Sequence, residues 1–391
     1  MQPVDISKGI PYALPSIGEE EIAEVVDTLR SGWITTGPKT QQFEEDIKQY
    51  VGVDHAVALN SCTAALHLAL LGLGVCRGEE VITTPYTFTA TANVIAHVGA
   101  KPVFVDVDER TMNIDPDLIV EKITAKTAAI LPVHFASVPC DMVPIWELAE
   151  DHDLHVIEDA AHAIGNRYLD SPDPEKTMIG SMSDATCYSF YPTKNMTTGE
   201  GGALVTPHQE LADRAMKLRL HGMSKDAWLR YSDRGSWYYE VDEAGWKYNM
   251  SDIQAAIGIH QLRKLDAFNE RRKEQGRLYN LALENLKGVI TPDDCNGHHL
   301  YHLYPLILEE YDRDQFLSAM KKRGVICNVH LTPLHLHPFY RDRFGYRKGE
   351  FPVAEWLSEH EVSLPLYPRL SDHAIYYMVD QIYELVEAYN D

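Results

Sequence analysis

Positive charge is scarce in this chain of 391 residues. Its 35 Lys and Arg stand against 58 Asp and Glu, a formal net charge of −23 at pH 7. So acidic a protein repels nucleic-acid backbones and anionic lipid, and neither nucleic acid nor a membrane is an expected partner. Long apolar runs are missing too. The longest, around Ala64 to Val75, is interrupted by His67 and falls short of the ~20 residues a bilayer requires. Met1-Gln2-Pro3-Val4-Asp5 lacks the basic-then-apolar pattern of a secretory leader, so a cytoplasmic location is expected. The six cysteines (Cys62, Cys76, Cys140, Cys187, Cys295 and Cys327) contain no CxxC pair, which argues for reduced thiols and against a disulfide framework or zinc site. His335-Leu336-His337 has no third ligand at metal-site spacing, so no metal is expected. Gly72-Leu73-Gly74-Val75-Cys76-Arg77-Gly78 closes a helical pattern instead of following a strand, which removes a dinucleotide-binding fingerprint.

What is present is ordinary in bulk and specific in detail. A hydrophobic content of 45% in a chain of this length can build two domains. Strand-like and helix-like segments alternate from Ala56 to Glu158, a pattern that implies a largely parallel sheet covered by helices. A long helical region follows Asn249 to about Leu286. Segments at Tyr301–Leu308, Gln315–Lys322 and Val325–His330 then suggest a smaller α/β unit. A terminal helix places Ile375, Met378, Ile382 and Val386 at helical spacing.

Two segments carry chemistry. The run Ala185 to Tyr191 reads as a strand that stops at Pro192; Lys194 follows in a loop, and Gly199, Gly201 and Gly202 turn the chain into a second strand. One amine held between two strands is a candidate for imine chemistry, with a solvated loop lysine as the plain alternative. Leu154 to Asp159 reads as a buried strand ending in two carboxylates, and ligand chemistry in open α/β sheets gathers at such strand ends. The alternative makes Asp159 a helix cap. Taken together, Lys194 and Asp159 fit a pyridoxal 5'-phosphate site: a lysine for the imine and an aspartate to keep the pyridine nitrogen protonated.

The chain resembles the DegT/DnrJ/EryC1/StrS family of nucleotide-sugar aminotransferases, and within it the UDP-4-amino-4-deoxy-L-arabinose aminotransferases. The resemblance rests on five ordered motifs. These are Ser31 to Lys39 (SGWITTGPK), Glu158 to Ala163 (EDAAHA), the Lys194 loop, Trp246 to Asp252 (WKYNMSD) and Ser363 to Pro368 (SLPLYP). It implies a fold-type-I pyridoxal-phosphate-dependent transferase, with a large domain over residues 1–265 and a small carboxyl-terminal α/β domain over 266–391. It further implies that Cys62, Thr63 and Ser189 cradle the cofactor phosphate, that Phe88 stacks on its ring, and that His162 lies near its phenolic oxygen or supports Asp159. A plain helix cap at residues 61–64, a core phenylalanine and a structural histidine are the alternatives. Asn249 would come from the neighbouring subunit of a homodimer with shared sites.

Substrate contacts are expected from Trp33, Lys225, Arg230 and His330. The segment Ser224 to Tyr239 mixes aromatic and cationic side chains suited to a sugar, a base and a diphosphate. Extra residues near Asp170 to Lys176, relative to the arabinose-type enzymes, are a second place for sugar specificity. The expected reaction moves an amino group from L-glutamate to a nucleotide-linked keto sugar, with Lys194 as the catalytic proton carrier. Two alternatives stand beside this reading. Dehydratase relatives carry histidine where this chain has Lys194, and a non-catalytic regulator would have no need of both Lys194 and Asp159.

Overall fold

The computed structural model describes residues 6–173, 176–223 and 239–390. Lys225 and Arg230, and with them all of the aromatic segment Ser224 to Tyr239 except its last residue, lie outside the described residues. Seven short strands form the central sheet: β1 (His55–Leu59), β2 (Glu80–Thr83), β3 (Lys101–Phe104), β4 (Thr127–Ile130), β5 (His155–Asp159), β6 (Ala185–Ser189) and β7 (Gly202–Thr206). Their order is β1-β7-β6-β5-β4-β2-β3. From β3 to β6 neighbours are parallel, and β7 runs antiparallel to both β6 and β1. The expected mostly parallel sheet is what forms. Every residue of β6 and β7 is buried, as strands covered on both faces require.

This topology decides where chemistry can occur. Parallel pairing sets Asp159 opposite Cys187, so Asp159 and Ser189 finish at the same edge of the sheet. The turns after β1 and β2 reach that edge as well, and β7, reversed, begins there with Gly202. Residues from five distant segments therefore converge at the carboxyl ends of the strands.

A second, three-stranded antiparallel sheet is built from β8 (Val289–Ile290), β9 (Tyr304–Leu308) and β10 (Glu361–Leu364), in the order β10-β9-β8. The segment Val325–His330 runs beside it, joined by single bridges from Val325 to Ile10 and from Asn328 to Ser363. The helix Asp252–Leu283 links the two sheets. Ser251 caps it, bonded reciprocally with Gln254. Its first half packs Ala255, Ile259, Leu262 and Leu265 into the core of the large sheet, and its end places Tyr279 and Leu283 in the core of the small one. Residue 265, the end expected for the large domain, falls within this helix.

The helix Glu19–Ser31 is packed inside out. Glu21 and Thr28 are buried, whereas Ile22 and Leu29 are 49% and 53% exposed. Glu21 tolerates burial because Lys264 Nζ and Gln261 Nε2 donate to it at 2.9 Å and Gly18 N–H at 2.8 Å. Among the described residues no helix is long and apolar enough to cross a membrane.

Candidate active site

The Lys194 loop is folded by its own backbone. Phe190 N–H donates to Gly201 O at 2.9 Å, Thr198 N–H returns to Phe190 O at 3.0 Å, and Lys194 N–H closes on Tyr191 O at 2.9 Å. Gly202 then brings β7 against the start of the helix Cys62–Gly72. A Cβ there would lie 2.4 Å from Cys62 N, so glycine is required for this approach. Between loop and helix opens a cavity of about 490 Å³. Of the residues expected from sequence, Cys62, Thr63, Phe88, Asp159, His162, Ser189, Lys194 and His330 all line it.

Asp159 is 5% exposed and bonded on both oxygens: Thr91 Oγ1–H donates to Oδ2 at 2.8 Å and Ala161 N–H to Oδ1 at 3.1 Å. Burial raises its pKa, and the Thr91 hydroxyl, the Ala161 amide and the Lys194 charge oppose that rise. Burial acts on Lys194 in the opposite sense. Desolvation disfavours the ammonium and lowers its pKa from 10.5 to about 8, against the pull of Asp159 and Cys62. At pH 7 an amine near 8 is neutral in roughly one molecule in ten, against fewer than one in a thousand at the ordinary value. The second-order rate at which the cofactor-free protein captures an aldehyde should therefore rise with pH and level off near pH 8; a profile still climbing at pH 10 would contradict this.

Two imidazoles share the cavity wall. His162 accepts a hydrogen bond on Nδ1 from Ala136 N–H at 3.3 Å, and burial pushes its pKa well below the ordinary histidine value. His330 is lowered to about 3, by burial first and then by Lys194, and its buried Nδ1 has no hydrogen-bond partner. Phe88 is 66% exposed, so it is not core packing but an aromatic face standing open beside the cavity.

Asn249 and Trp33 are not in this chain's cavity. Asn249 Nδ2–H donates to Thr36 Oγ1 at 2.7 Å while its buried Oδ1 is unpaired. Trp33 Nε1–H donates to Thr36 O at 3.1 Å. Both belong to a brace in which Asp252 accepts from Gly37 N–H at 2.8 Å and Thr40 N–H at 2.9 Å. The first and fourth sequence motifs thus hold each other. Sequence reasoning missed Thr91, Phe135 and Glu200. Thr91 bonds Asp159, and Phe135 and Glu200 line the cavity. A threonine two residues into a helix carries no signal of the carboxylate it will meet 68 positions later.

The donor set fits pyridoxal phosphate. A helix N-terminus with Ser61, Cys62 and Thr63 offers amides and hydroxyls to a dianion, and Ser61 Oγ already caps Ala64 N–H at 3.1 Å. A carboxylate and a depressed-pKa amine stand in the same cavity, which an aromatic face flanks. Fold and site together define a fold-type-I pyridoxal-phosphate-dependent enzyme. The chain belongs to the DegT/DnrJ/EryC1/StrS aminotransferase family, whose model matches residues 15–383. It is 52% identical over 382 residues to MJ1066, an uncharacterized protein of Methanocaldococcus jannaschii, covering 96% of this chain and 97% of that one. It is 49% identical over 390 residues to the spore coat polysaccharide biosynthesis protein SpsC of Bacillus subtilis, covering 98% and 96%. Among solved structures, the PMP-form of the sugar aminotransferase Spr1654 of Streptococcus pneumoniae superposes with a TM-score of 0.89 at 35% identity, covering 97% of this chain and 99% of that one.

Proposed function

We propose that this aminotransferase moves an amino group from L-glutamate to a nucleotide-linked keto sugar, a UDP- or dTDP-4-keto sugar, in amino-sugar biosynthesis. The observation that carries the reading is the pairing of Lys194 with Asp159 in one cavity. SpsC, a relative at 49% identity, is named for polysaccharide biosynthesis, which supports a sugar acceptor. When bound, pyridoxal phosphate supplies a carbonyl for the amino group and an electron-accepting ring.

The chain's own groups divide the remaining work. The helix start at Cys62 and Thr63, with Ser189, would hold the phosphate, and Phe88 would keep the ring flat. Asp159 would keep a proton on the ring nitrogen. Lys194, partly neutral at pH 7, would take the α-proton of glutamate on Nζ and give it up again on the far side of the amino nitrogen, two atoms away. His162 and His330, both neutral, give the cavity polar edges without a competing cation.

The test is an amino-transfer assay with glutamate across a panel of nucleotide keto sugars. Product with a UDP- or dTDP-4-keto sugar is expected. Failure of glutamate to bleach the long-wavelength absorbance of the loaded enzyme, or no product with any sugar in the panel, would reject the reading.

The same reading includes a homodimer with shared sites. Ile22 and Leu29 face outward from the helix Glu19–Ser31, and Ile34 just beyond it is 51% exposed. Asn249, off its own cavity with an unpaired buried oxygen, is suited to serve a partner's. Ile22→Glu with Leu29→Glu should therefore shift the sedimentation of the protein toward monomer and lower activity with dilution. Unchanged sedimentation would remove this face from the interface.

A further inference from the structure

Directly behind Lys194 runs a buried polar chain that the chemistry above does not use. Asn195, Asn269 and His302 are 4%, 4% and 3% exposed. They come from the Lys194 loop, the helix Asp252–Leu283 and the segment entering β9. Asn269 Nδ2–H donates to Ile164 O at 3.3 Å, Asn195 Nδ2–H donates to Asn269 Oδ1 at 2.7 Å, and His302 Nδ1 meets Asn195 Oδ1 at 2.9 Å. The Ile164 carbonyl can only accept, and that orients every group in turn. Asn269 must present its oxygen to Asn195, Asn195 its oxygen to His302, and His302 must carry a proton on Nδ1.

A second set of bonds holds His302 itself. Its backbone N–H donates to Ala136 O at 3.1 Å, and Arg272 donates to its carbonyl at 3.2 Å. The same Ala136 donates its N–H to His162 Nδ1, so His162 carries its proton on Nε2. The rings of His162 and His302 lie 4.3 Å apart at 34°. Burial holds both rings well below the ordinary pKa, with the charges of Lys194 and Arg272 acting the same way on His302, so both are neutral. A neutral ring can be a hydrogen-bond donor here without placing a second cation beside Lys194.

We infer that His302 is a positioning residue for Lys194: acting through Asn195, it locks the loop of the reacting amine to the carboxyl-terminal unit. The inference rests on Lys194 being the reacting amine. It gives the small sheet a role in the chemistry without contact with the reacting atoms.

Two variants separate hydrogen bond from packing. His302→Phe keeps a ring against His162 and loses the donor. His302→Asn loses the ring but keeps a donor at the same distance along the side chain. In single turnovers of the loaded enzyme with glutamate, His302→Phe should react on the order of 10- to 100-fold more slowly, the scale of a misplaced reacting group. His302→Asn should recover most of that loss. Without substrate, the pH titration of the long-wavelength band should shift in His302→Phe and return toward wild type in His302→Asn. Asn195→Ala, which removes the acceptor, should reproduce the loss and add little to His302→Phe. It also carries the test if His302→Phe does not fold.

Wild-type rate and titration in His302→Phe or Asn195→Ala, or no recovery in His302→Asn, would overturn the inference. Lys194→Ala distinguishes the failures. If it turns over normally, the functional reading falls. If it is inactive while His302→Phe is normal, only the positioning role falls.

Discussion

Lys194→Ala should lower turnover with glutamate by at least ~1000-fold, because in the proposed function one amine would serve both as the nucleophile toward the cofactor carbonyl and as the proton carrier. Cofactor binding should change far less, since Ser189, Thr63 and Asp159 remain in the cavity. Turnover at the wild-type rate would sink the mechanism. The same residue has an opposite effect on stability. In the cofactor-free protein its pKa is about 8, against 10.5 for the exposed amine, so the unfolded chain binds more protons between these values. Stability therefore rises with pH through that window, and the full penalty of burying the ammonium is present below pH 8. Lys194 is only partly buried, which discounts that penalty. Cofactor-free Lys194→Met should thus be more stable than wild type at pH 7 by ~1–2 kcal/mol. The difference should shrink toward pH 10, measured by urea denaturation. A pH-independent difference would mean that packing, not charge, is responsible.

The largest expected loss of stability lies one residue before Asp159. Glu158 is fully buried and accepts from three groups: His134 Nε2–H at 2.7 Å, Tyr168 OH at 2.8 Å and Thr186 Oγ1–H at 3.0 Å. Cys140 N–H fills His134 Nδ1 at 3.0 Å, which puts the ring proton on the side facing Glu158. Glu158→Ala leaves three buried donors without an acceptor and should cost ~3–5 kcal/mol. Glu158→Gln keeps one acceptor oxygen and should cost less. Activity per folded molecule should fall much less than in Lys194→Ala. A Glu158→Ala protein with wild-type denaturation midpoint would contradict this account.

Glu158 and Asp159 show how far the sequence could be read. Both are carboxylates at the end of one strand, and adjacent strand residues must point to opposite faces. Which face meets the cavity is a property of neighbours. Thr91 and Ala161 meet Asp159, while His134, Tyr168 and Thr186 meet Glu158. Its place at the strand end, paired with Lys194, pointed to Asp159; spacing within the strand does not say which of the two carboxylates faces the cavity. The helix Glu19–Ser31 is the converse case. Its own pattern would bury Ile22 and Leu29, but Lys264 and Gln261, more than 230 residues away, draw Glu21 inward instead.

The sequence by itself determined the alternating elements, the strand–loop–strand that carries Lys194, and the strand that ends at Asp159. These are local, set by hydrophobic runs, by Pro192 and by the glycines of the return. Only the tertiary structure decided that Thr91 holds Asp159, that Asn249 stands off its own chain's cavity, and that His302 reaches Asn195. Those contacts depend on the direction each buried side chain takes across the sheet edge and the small unit. Desolvation, which brings Lys194 to about pKa 8, exists only once that cavity is closed around it.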